Sequence, residues 1–504
     1  MKHLWKEKPL TLIIFAGLFF RLLSVIFSKG FGMFDDHFLV MEAAQSWVDG
    51  TDYNYWLPSI LDPSREPQGH SLFYVGIIYC ILDFFKFIGL DDAQGKMYFI
   101  RLIHALFSLF VIYYGYKIAE KKSGQKVAKM VGIVLALFWM MPFLSVRNLV
   151  EVICIPPMMA ATWLIIKNED HPKLKIYMYS GILLGLAFSI RFQTVMFTAG
   201  FGLALLFCKK IKEAFITGLF FLLIVFSTQG IIDYFVWHRP FAEFQAYTIY
   251  NINNANTFHV GEWYMFILFL AGVMIPPISL FLLFGYFRLW RKQLLLFLPS
   301  FVFLAFHSYF PNKQERFILP ILPFIITLGF IGWNEFMDSS RFWQKKHKLY
   351  KGFLIFFWSL NTTALLFVSV SYSKRNRVEA MYYLSEKKDL RNIVVEDANC
   401  DDFTMPPLYY LQKWISPYSV TKKNPTEVFY KKFKILTEED KPNYVVFMQA
   451  ENISKRVAIM KFYFPDMEYL TTIEPSTVDK LMHFLNPENN ENHTTYIFRI
   501  KNAR

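Results

Sequence analysis

A short acidic segment carries the residues best suited to proton transfer. Asp35, Asp36 and His37 are followed by Glu42, just after the first long apolar run. If this segment is helical, Asp35 and Glu42 are seven residues apart and share one face, whereas Asp36 points about 100° away. A carboxylate beside a second negative charge and an aromatic neighbour is a suitable general base. Residue type alone favours the plainer interpretation, solvated loop acids beside a helix N-terminus.

A second segment places cations between two apolar runs. Residues 307–316 read His-Ser-Tyr-Phe-Pro-Asn-Lys-Gln-Glu-Arg and offer His307, Lys313 and Arg316. Arginine binds a phosphate through two parallel N–H donors and lysine binds it as a point charge, so the set suits a lipid-linked phosphate. Cations that snorkel to a membrane surface are the plainer explanation, and residue type alone favours it.

One further cation lies between two closely spaced apolar runs. Arg191 is followed by Gln193, and an ionisable side chain inside a membrane is a functional hypothesis by default. A structural ion pair with Glu151 or Glu315 would also explain it.

The composition assigns these residues to a membrane protein. Hydrophobic residues make up 54% of the 504 residues, charged residues make up 18% and the mean hydropathy is +0.29, which excludes an ordinary soluble enzyme. The net charge of +13 fits nucleic acid, anionic lipid or the cytoplasmic loops of a membrane protein. The four cysteines are far apart, so their spacing indicates neither a disulfide framework nor a metal site.

Apolar runs of roughly 15 to 23 residues recur, which is the length that crosses a hydrocarbon core of about 30 Å as a helix. We predict eleven spans, at Leu10–Phe27, Met97–Ile118, Val127–Leu144, Leu149–Ile166, Ile176–Ile190, Val195–Cys208, Ala214–Ile232, Trp263–Tyr286, Leu294–Phe306, Phe317–Trp333 and Gly352–Tyr372. The run Ser71–Leu90 is not counted, because a span there would put the later basic loops outside, against the positive-inside rule. The N-terminus is then cytoplasmic and the C-terminus lies outside.

The predicted fold class is mainly α, a polytopic helical membrane protein with a small C-terminal α/β domain outside the membrane. Residues 1–372 form the transmembrane domain, and residues 28–96 within it form a first, acidic outside loop. Residues 373–504 carry 20 basic and 18 acidic side chains and contain β-like runs such as Tyr444–Met448, which predict the α/β domain on the outer face. The remaining positive charge lies in predicted cytoplasmic loops, so no nucleic acid partner is needed.

The acidic segment resembles the mannosyltransferase branch of the GT-C membrane glycosyltransferases. This branch includes the GPI-anchor mannosyltransferases and the late mannosyltransferases of N-glycan precursor assembly. The first loop of the family reads Pro-Asp-Glu, followed by Gln and Glu at set spacing. The chain keeps Asp35 and Glu42 and departs from the family at Phe34, Asp36 and Leu39.

Three further segments resemble the same family, in the same order. Trp56 and Arg65–Pro67 match a Trp-rich stretch that leads to an Arg and a Pro. Asp233–Tyr264 matches the long later loop, and Asn312–Phe317 matches the His-Lys-Glu-x-Arg-Phe motif with Asn in place of His. Together the four segments cover the membrane part of the chain and not the C-terminal domain.

The resemblance implies a GT-C-like fold and the transfer of a sugar, with mannose expected, from a polyprenyl-phosphate carrier to an acceptor hydroxyl of a lipid-linked glycan or glycolipid. Inversion at the anomeric carbon and a site on the outer membrane face are also implied. A hydroxyl needs a base, whereas a phosphate leaving group needs cations but no general acid. Asp35 and Asp36 are the expected catalytic residues, with Asp35 as the base.

The expected substrate-binding residues are Glu42, Arg65, Arg191, Trp263, Tyr264, His307, Lys313 and Arg316. Neither a metal nor another cofactor is expected, because the donor carries one phosphate and the scattered aspartates form no cluster by spacing. The expected partners are the lipid bilayer, the polyprenyl-phosphate sugar and the acceptor. The composition leans towards a bacterial inner membrane with a periplasmic site; in a eukaryote the site would face the lumen of the endoplasmic reticulum.

Two alternatives stay open. One is a related enzyme that moves an aminoarabinose-type sugar or ligates a whole polymer. The other is a transporter or flippase for lipid-linked glycans, which should place charges at mid-membrane beside broken spans. Only Arg21, Glu151 and Pro156-Pro157 suggest that pattern, and the other candidate charges lie in predicted outside loops. A lipid-binding scaffold would not explain the ordered motifs.

Overall fold

The structure of the chain is a computed structural model that describes residues 2–59, 62, 64–487 and 493–501. Its contacts divide the chain into two compact units. The first unit consists of Met1–Ile26, Asn54–Cys80 and Phe99–Val370, and the second of Phe27–Tyr53, Ile81–Tyr98 and Ser371–Arg504.

Helices dominate the first unit. They are Lys2–Glu7, Pro9–Phe27, Leu72–Phe87, Ala93–Leu137, Met141–Ser145, Val150–Ile153, Ile155–Lys167, Leu174–Ile190, Phe192–Thr194, Val195–Phe207, Ile211–Val225, Phe226–Gly230, Ile231–Trp237, Ala242–Asn253, Met265–Val273, Ile278–Arg288, Leu294–Tyr309, Glu315–Ile321, Leu322–Ser339, Arg341–Lys345 and His347–Ser369. Leu72–Phe87 and Ala93–Leu137 also contribute residues to the second unit.

Six helical segments among the described residues are long and apolar enough to cross a membrane. They are Pro9–Phe27, Ala93–Leu137, Val150–Lys167, Ile211–Trp237, Glu315–Ser339 and His347–Ser369. Four shorter helices are also apolar, namely Leu174–Ile190, Phe192–Phe207, Ile278–Arg288 and Leu294–Tyr309. These segments confirm the prediction of a mainly helical membrane protein.

Three of the predicted spans differ in form from the helices found. Ala93–Leu137 contains the predicted span Met97–Ile118 and the first part of the predicted span Val127–Leu144, and it is interrupted at Gly124, whose φ of 78° and ψ of 176° are not helical. The predicted span Trp263–Tyr286 is instead divided into Met265–Val273 and Ile278–Arg288. Pro276 and Pro277 lie between these two helices, and neither has the N–H group that would continue the first one.

Close packing fixes the helix that follows the 307–316 loop. A Cβ atom on Gly332 would lie 2.0 Å from the carbonyl oxygen of Gly285, so the helices Leu322–Ser339 and Ile278–Arg288 approach backbone to backbone. The first two thirds of Leu322–Ser339, from Leu322 to Trp333, are buried. The residues just before this helix are therefore anchored to the rigid interior of the first unit.

Arg21, which suggested a transporter, is a structural residue of the first unit. It is buried, and its guanidinium donates to the Ser108 hydroxyl at 2.7 Å and to the Gly17 and Ala136 carbonyls at 3.2 and 3.1 Å. Hydrogen bonds to protein acceptors therefore stabilise this guanidinium inside the membrane.

The second unit contains the predicted C-terminal α/β domain. Its strands are β1 (Ile393–Asp397), β2 (Tyr418–Thr421), β3 (Tyr444–Phe447), β4 (Met467–Ile473) and β5 (Thr495–Ile500), in the spatial order β2-β1-β3-β5-β4. β1 is parallel to β2 and β3, and β5 is antiparallel to β3 and β4. The helices of this unit are Phe34–Asp36, His37–Glu42, Ala43–Val48, Arg375–Ser385, Leu408–Leu411, Thr426–Phe433, Ile453–Tyr463 and Thr477–Leu485.

Two segments of the first predicted outside loop pack with this domain. The Ser28 hydroxyl donates to the Ser371 carbonyl at 2.8 Å, and the Ser373 N–H donates to the Lys29 carbonyl at 3.0 Å. Composition assigned residues 27–53 and 81–98 to the transmembrane domain. Composition carries no information about contacts between residues hundreds of positions apart, so it could not predict that these segments pack with the C-terminal domain. The structure groups them with residues 371–504.

Candidate functional site

The acidic segment forms an irregular helical turn in the second unit, which we call the carboxylate turn (residues 34–42). Phe34–Asp36 is α-helical and His37–Glu42 is a π-helix. The wider π turn removes Glu42 from the face that it would share with Asp35 in a regular α-helix. Asp35 is half-buried, Asp36 is 5% exposed and Glu42 is 0% exposed.

Protein donors occupy both carboxylate oxygens of Glu42. One oxygen accepts the Tyr409 N–H at 3.0 Å and lies 3.4 Å from His37 Nε2, and the other accepts the Tyr53 hydroxyl. Burial lowers the pKa of His37, which favours the neutral ring. The sequence assigned substrate binding to Glu42, whereas in the structure its partners are protein groups.

A cationic cluster forms in the first unit around the ring of Phe317. The guanidinium carbons of Arg191 and Arg316 each lie 5.6 Å from the ring centre, and the His307 ring lies 6.2 Å from it. We define the cationic cluster as Arg191, His307, Lys313 and Arg316. The structure thus brings Arg191 together with three residues of the segment 307–316.

Glu151 is an ion-pair partner of the arginines in the cationic cluster. Its Oε1 atom lies 2.5 Å from Arg191 Nη1 and 3.6 Å from Arg316 Nε. The ion pair between Arg191 and Glu151 that the sequence allowed is therefore present. Arginine guanidinium groups bind anions such as carboxylates and phosphates through parallel N–H donors.

Several donors of the cationic cluster are buried without a protein acceptor. Among the described residues, Arg191 Nε and Nη2 and His307 Nε2 have no hydrogen-bond partner. Arg191 is 8% exposed and His307 is 2% exposed. Buried polar atoms are normally hydrogen-bonded, so the Arg191 donors are suited to bind an acceptor that the protein itself does not supply. His307 Nδ1 donates to the Phe303 carbonyl at 2.8 Å, which leaves Nε2 of the neutral ring as an acceptor.

Lys313 contributes charge and also closes a helix. Its ammonium donates to the carbonyls of His307 at 3.1 Å, Ser308 at 2.9 Å and Phe310. These carbonyls are at the C-terminal end of Leu294–Tyr309, where backbone acceptors lack helical partners. Burial lowers the pKa of Lys313.

Backbone pairing places a second family motif beside Lys313. The Lys313 N–H donates to the His259 carbonyl at 2.7 Å, and Val260 forms a bridge with Asn312. Trp263 and Tyr264 follow directly along the chain and are 63% and 42% exposed. These two predicted substrate-binding residues are thus on a loop that is paired with the loop of Lys313.

Arg65 is bound to its own loop. Its guanidinium donates to the Leu57 carbonyl at 2.9 Å, lies 4.8 Å from the Tyr55 ring centre and has Nε 3.6 Å from Asp62. These contacts tie Arg65 to Tyr55, Leu57 and Asp62 of its own loop. The sequence assigned substrate binding to Arg65. In the structure, these contacts of the Arg65 guanidinium are with residues of its own loop.

Sequence reasoning missed one buried carboxylate, Glu243. It accepts the Gly69 and His70 N–H groups at 2.7 and 3.1 Å and the Trp237 indole N–H at 2.9 Å, and thereby joins residues 69–70 to the later loop. Burial raises the pKa of Glu243 to about 7, and the nearby Asp233 adds to the rise. Nothing in the sequence distinguishes this acid from other loop acids, because the two backbone N–H groups that it accepts, those of Gly69 and His70, are more than 170 residues away.

Among the described residues, no group of three or more His, Cys, Asp or Glu side chains is arranged to hold a metal ion.

Comparisons with known proteins give one family and one fold. A sequence profile of the Alg9-like mannosyltransferase family matches residues 12–401. A comparison with curated protein sequences gives no significant match.

Solved structures with a similar fold include ArnT from Cupriavidus metallidurans bound to undecaprenyl phosphate, which is 11% identical with a TM-score of 0.62 and 98% of each chain covered. The same protein in the apo state is 11% identical with a TM-score of 0.59 and the same coverage. The Archaeoglobus fulgidus oligosaccharyltransferase in complex with Zn and sulfate is 11% identical with a TM-score of 0.50, and the match covers 92% of this chain and 72% of that one. At these identities the likeness shows the fold alone.

The raised pKa of Glu243 predicts a pH-dependent stability. Between the usual pKa of 4.5 and about 7, the folded protein keeps a proton that the unfolded chain releases, so stability is lost as the pH rises through this range. We expect the difference in unfolding free energy between wild type and Glu243→Gln to change by about 3 kcal/mol over that interval. Thermal unfolding in detergent from pH 4.5 to 8 measures it. The exposed Glu262→Gln variant is the control, and a pH-independent difference for Glu243→Gln would contradict the prediction.

Proposed function

Because the chain belongs to the Alg9-like mannosyltransferase family, we propose that it transfers mannose from a polyprenyl phosphate to a hydroxyl of a lipid-linked glycan or glycolipid, with inversion at the anomeric carbon. The family match confirms the resemblance found in the sequence motifs. The chain is an integral membrane protein of a glycosyltransferase family, and its lipid-linked substrates are part of the proposal. The sugar, the stereochemistry and the membrane face are proposed.

The observation that carries the proposal is the cationic cluster. Glu151 lies close to both arginines, and among the described residues Arg191 Nε and Nη2 are buried donors without a hydrogen-bond partner. A phosphate oxygen fits such donors, and arginine binds phosphate bidentately. ArnT, which has a similar fold, binds undecaprenyl phosphate, and this supports a polyprenyl phosphate as the ligand.

The proposed reaction is a single displacement. The acceptor oxygen attacks the anomeric carbon on the face opposite the phosphate, and the bond from that carbon to the phosphate oxygen breaks. The leaving polyprenyl phosphate takes the bonding electron pair, and the arginines of the cationic cluster stabilise its charge. One displacement inverts the configuration, whereas a covalent intermediate would retain it.

Asp35 is the proposed base and takes the proton of the acceptor hydroxyl. It is half-buried, whereas Asp36 is buried and is proposed to shape the turn beside it. A phosphate leaving group needs no general acid, so one working carboxylate suffices. The scheme uses no metal or other cofactor, because the donor carries a single phosphate.

The remaining predicted residues have supporting roles in this proposal. Lys313 adds positive charge while it closes its helix, Arg65 holds its loop, and Trp263 and Tyr264 offer exposed rings for sugar faces. The outer membrane face, periplasmic in a bacterium, is proposed from the basic loops on the opposite side. Transfer of an aminoarabinose-type sugar or of a whole polymer would use the same base and cations and would differ in the substrates accepted.

Asp35→Asn tests the base. The variant keeps the shape of the side chain but cannot accept the proton, so we expect kcat to fall by a factor of about 100 or more while donor binding and Tm stay close to wild type. Initial rates in proteoliposomes measure the effect. Asp83→Asn, which changes an exposed acid of the second unit, is the matched control and should stay active. A fully active Asp35→Asn would reject this assignment.

Arg316→Ala tests the phosphate contact. Loss of a charge-assisted hydrogen bond should raise the apparent donor KM by about 10- to 100-fold and leave the acceptor KM nearly unchanged. The control is Arg239→Ala, which removes an exposed loop arginine that pairs with Glu66. An unchanged donor KM for Arg316→Ala would refute the phosphate role.

A further inference from the structure

The C-terminal domain contacts the carboxylate turn directly within the second unit. Tyr409, on the short helix Leu408–Leu411, donates its backbone N–H to Glu42 at 3.0 Å, although 367 residues separate the two in sequence. Tyr410 stacks on the His37 ring at 5.6 Å with an interplanar angle of 16°. Phe31 stacks on the same ring at 4.2 Å and 11°. The residue directly after Asp36 is therefore in contact with two aromatic rings, one of them from the C-terminal domain.

Cations of the C-terminal domain pack against the same turn. The Arg377 guanidinium carbon lies 5.4 Å from the Phe31 ring centre and 5.8 Å from that of Phe38, and the Lys374 ammonium lies 5.6 Å from Phe31. Arg377 also donates to the Met405 carbonyl, which ties it to its own domain. Burial lowers the pKa of Arg377 to about 10, so it stays charged at neutral pH beside the carboxylate of Glu42.

The conformation of the turn explains why such contacts are needed. A π-helix is rare and occurs mainly as a single turn at functional sites, and an unusual backbone persists only where its surroundings fix it. Here Glu42 ends the π-helix, and its fully buried carboxylate has Tyr53, His37 and the Tyr409 N–H as partners. These contacts are made at the C-terminal end of the carboxylate turn, and Phe31, which Lys374 and Arg377 contact, lies just before its N-terminal end. Asp35 and Asp36 lie between Phe31 and Glu42 in the chain.

We infer that Glu42, together with Tyr409 and Tyr410 of the C-terminal domain, positions the proposed base Asp35 and does not bind substrate. This inference rests on the proposed function, since it takes Asp35 as the base. It assigns the C-terminal domain a role in catalysis through the orientation of the carboxylate turn. A displacement of about 1 Å in a reacting group can cost roughly 100-fold in rate, so loss of these contacts lowers turnover without weakening donor binding.

The test compares variants that differ in what they remove. Glu42→Ala removes every contact of the carboxylate, Glu42→Gln keeps an acceptor for the Tyr409 N–H, and Tyr53→Phe removes only the hydroxyl donor. The matched control is Glu396→Gln, which changes another buried carboxylate of the second unit, one that is bound to Arg456 at 2.8 Å in the sheet. Each variant is made in wild type and in Asp35→Asn, and kcat, donor KM and Tm are measured in proteoliposomes.

We expect Glu42→Ala to lower kcat by about 10- to 100-fold, with a donor KM within about twofold of wild type. Glu42→Gln and Tyr53→Phe should lower kcat by a smaller factor. These two variants provide the test if Glu42→Ala does not fold. In the Asp35→Asn background, the Glu42 substitutions should not lower the residual rate further, because there is no base left to position.

Two results would overturn the inference. In the first, the Glu42 variants and Glu396→Gln lose Tm equally, and kcat falls no further in the Glu42 variants than in Glu396→Gln. The second is an equal loss with and without Asp35, which would indicate a structural role independent of the base. An inactive Asp35→Asn combined with either result rejects only the positioning role. A fully active Asp35→Asn rejects the proposed base itself, so the two failures are distinguishable.

Discussion

The ion pair between Glu151 and Arg191 is the interaction on which the first unit depends at its functional end. A guanidinium buried among apolar helices is costly unless a carboxylate compensates it, and a buried pair that loses one partner is strongly destabilised. Glu151 pairs with Arg191 and lies close to Arg316, and both arginines contact the ring of Phe317. Glu151 therefore stabilises both arginines of the cationic cluster. In the proposed function, the Arg191 donors that have no protein partner among the described residues bind the phosphate of the sugar donor.

The buried glutamates Glu42, Glu151 and Glu243 differ from the half-buried Asp35 in exposure and in proposed role. Glu42, Glu151 and Glu243 are buried and are bound to or paired with protein groups, namely backbone N–H groups, a tyrosine hydroxyl, an indole and arginines. Asp35 is half-buried on an irregular turn. A carboxylate fixed by several donors can orient a segment but is poorly suited to take a proton from substrate. In this account the glutamates fix loops and cations, and the aspartate carries out proton transfer.

The periodic and compositional features of the fold were predictable from the sequence. Apolar runs become helices, and alternating runs such as Tyr444–Phe447 become strands, because both depend on neighbouring residues. The motif in residues 312–317 also indicated cations that the structure brings together with Arg191. The π-helix of the carboxylate turn, the buried position of Glu42 and the pairing of Glu243 with Gly69 were not predictable. Each depends on a partner that is distant in sequence, and neither residue type nor spacing encodes such a partner.

The central claim is inverting transfer of mannose from a polyprenyl phosphate, and the most direct measurement is a reconstituted assay. Purified protein in liposomes is given a panel of polyprenyl-phosphate sugars with lipid-linked glycan acceptors, and the anomeric configuration of the product is read by NMR spectroscopy. The account predicts that the mannosyl donor gives the highest rate and that the new glycosidic bond has the anomeric configuration opposite to that of the donor. Retention of configuration, or transfer from another sugar donor but not from the mannosyl donor, would contradict it.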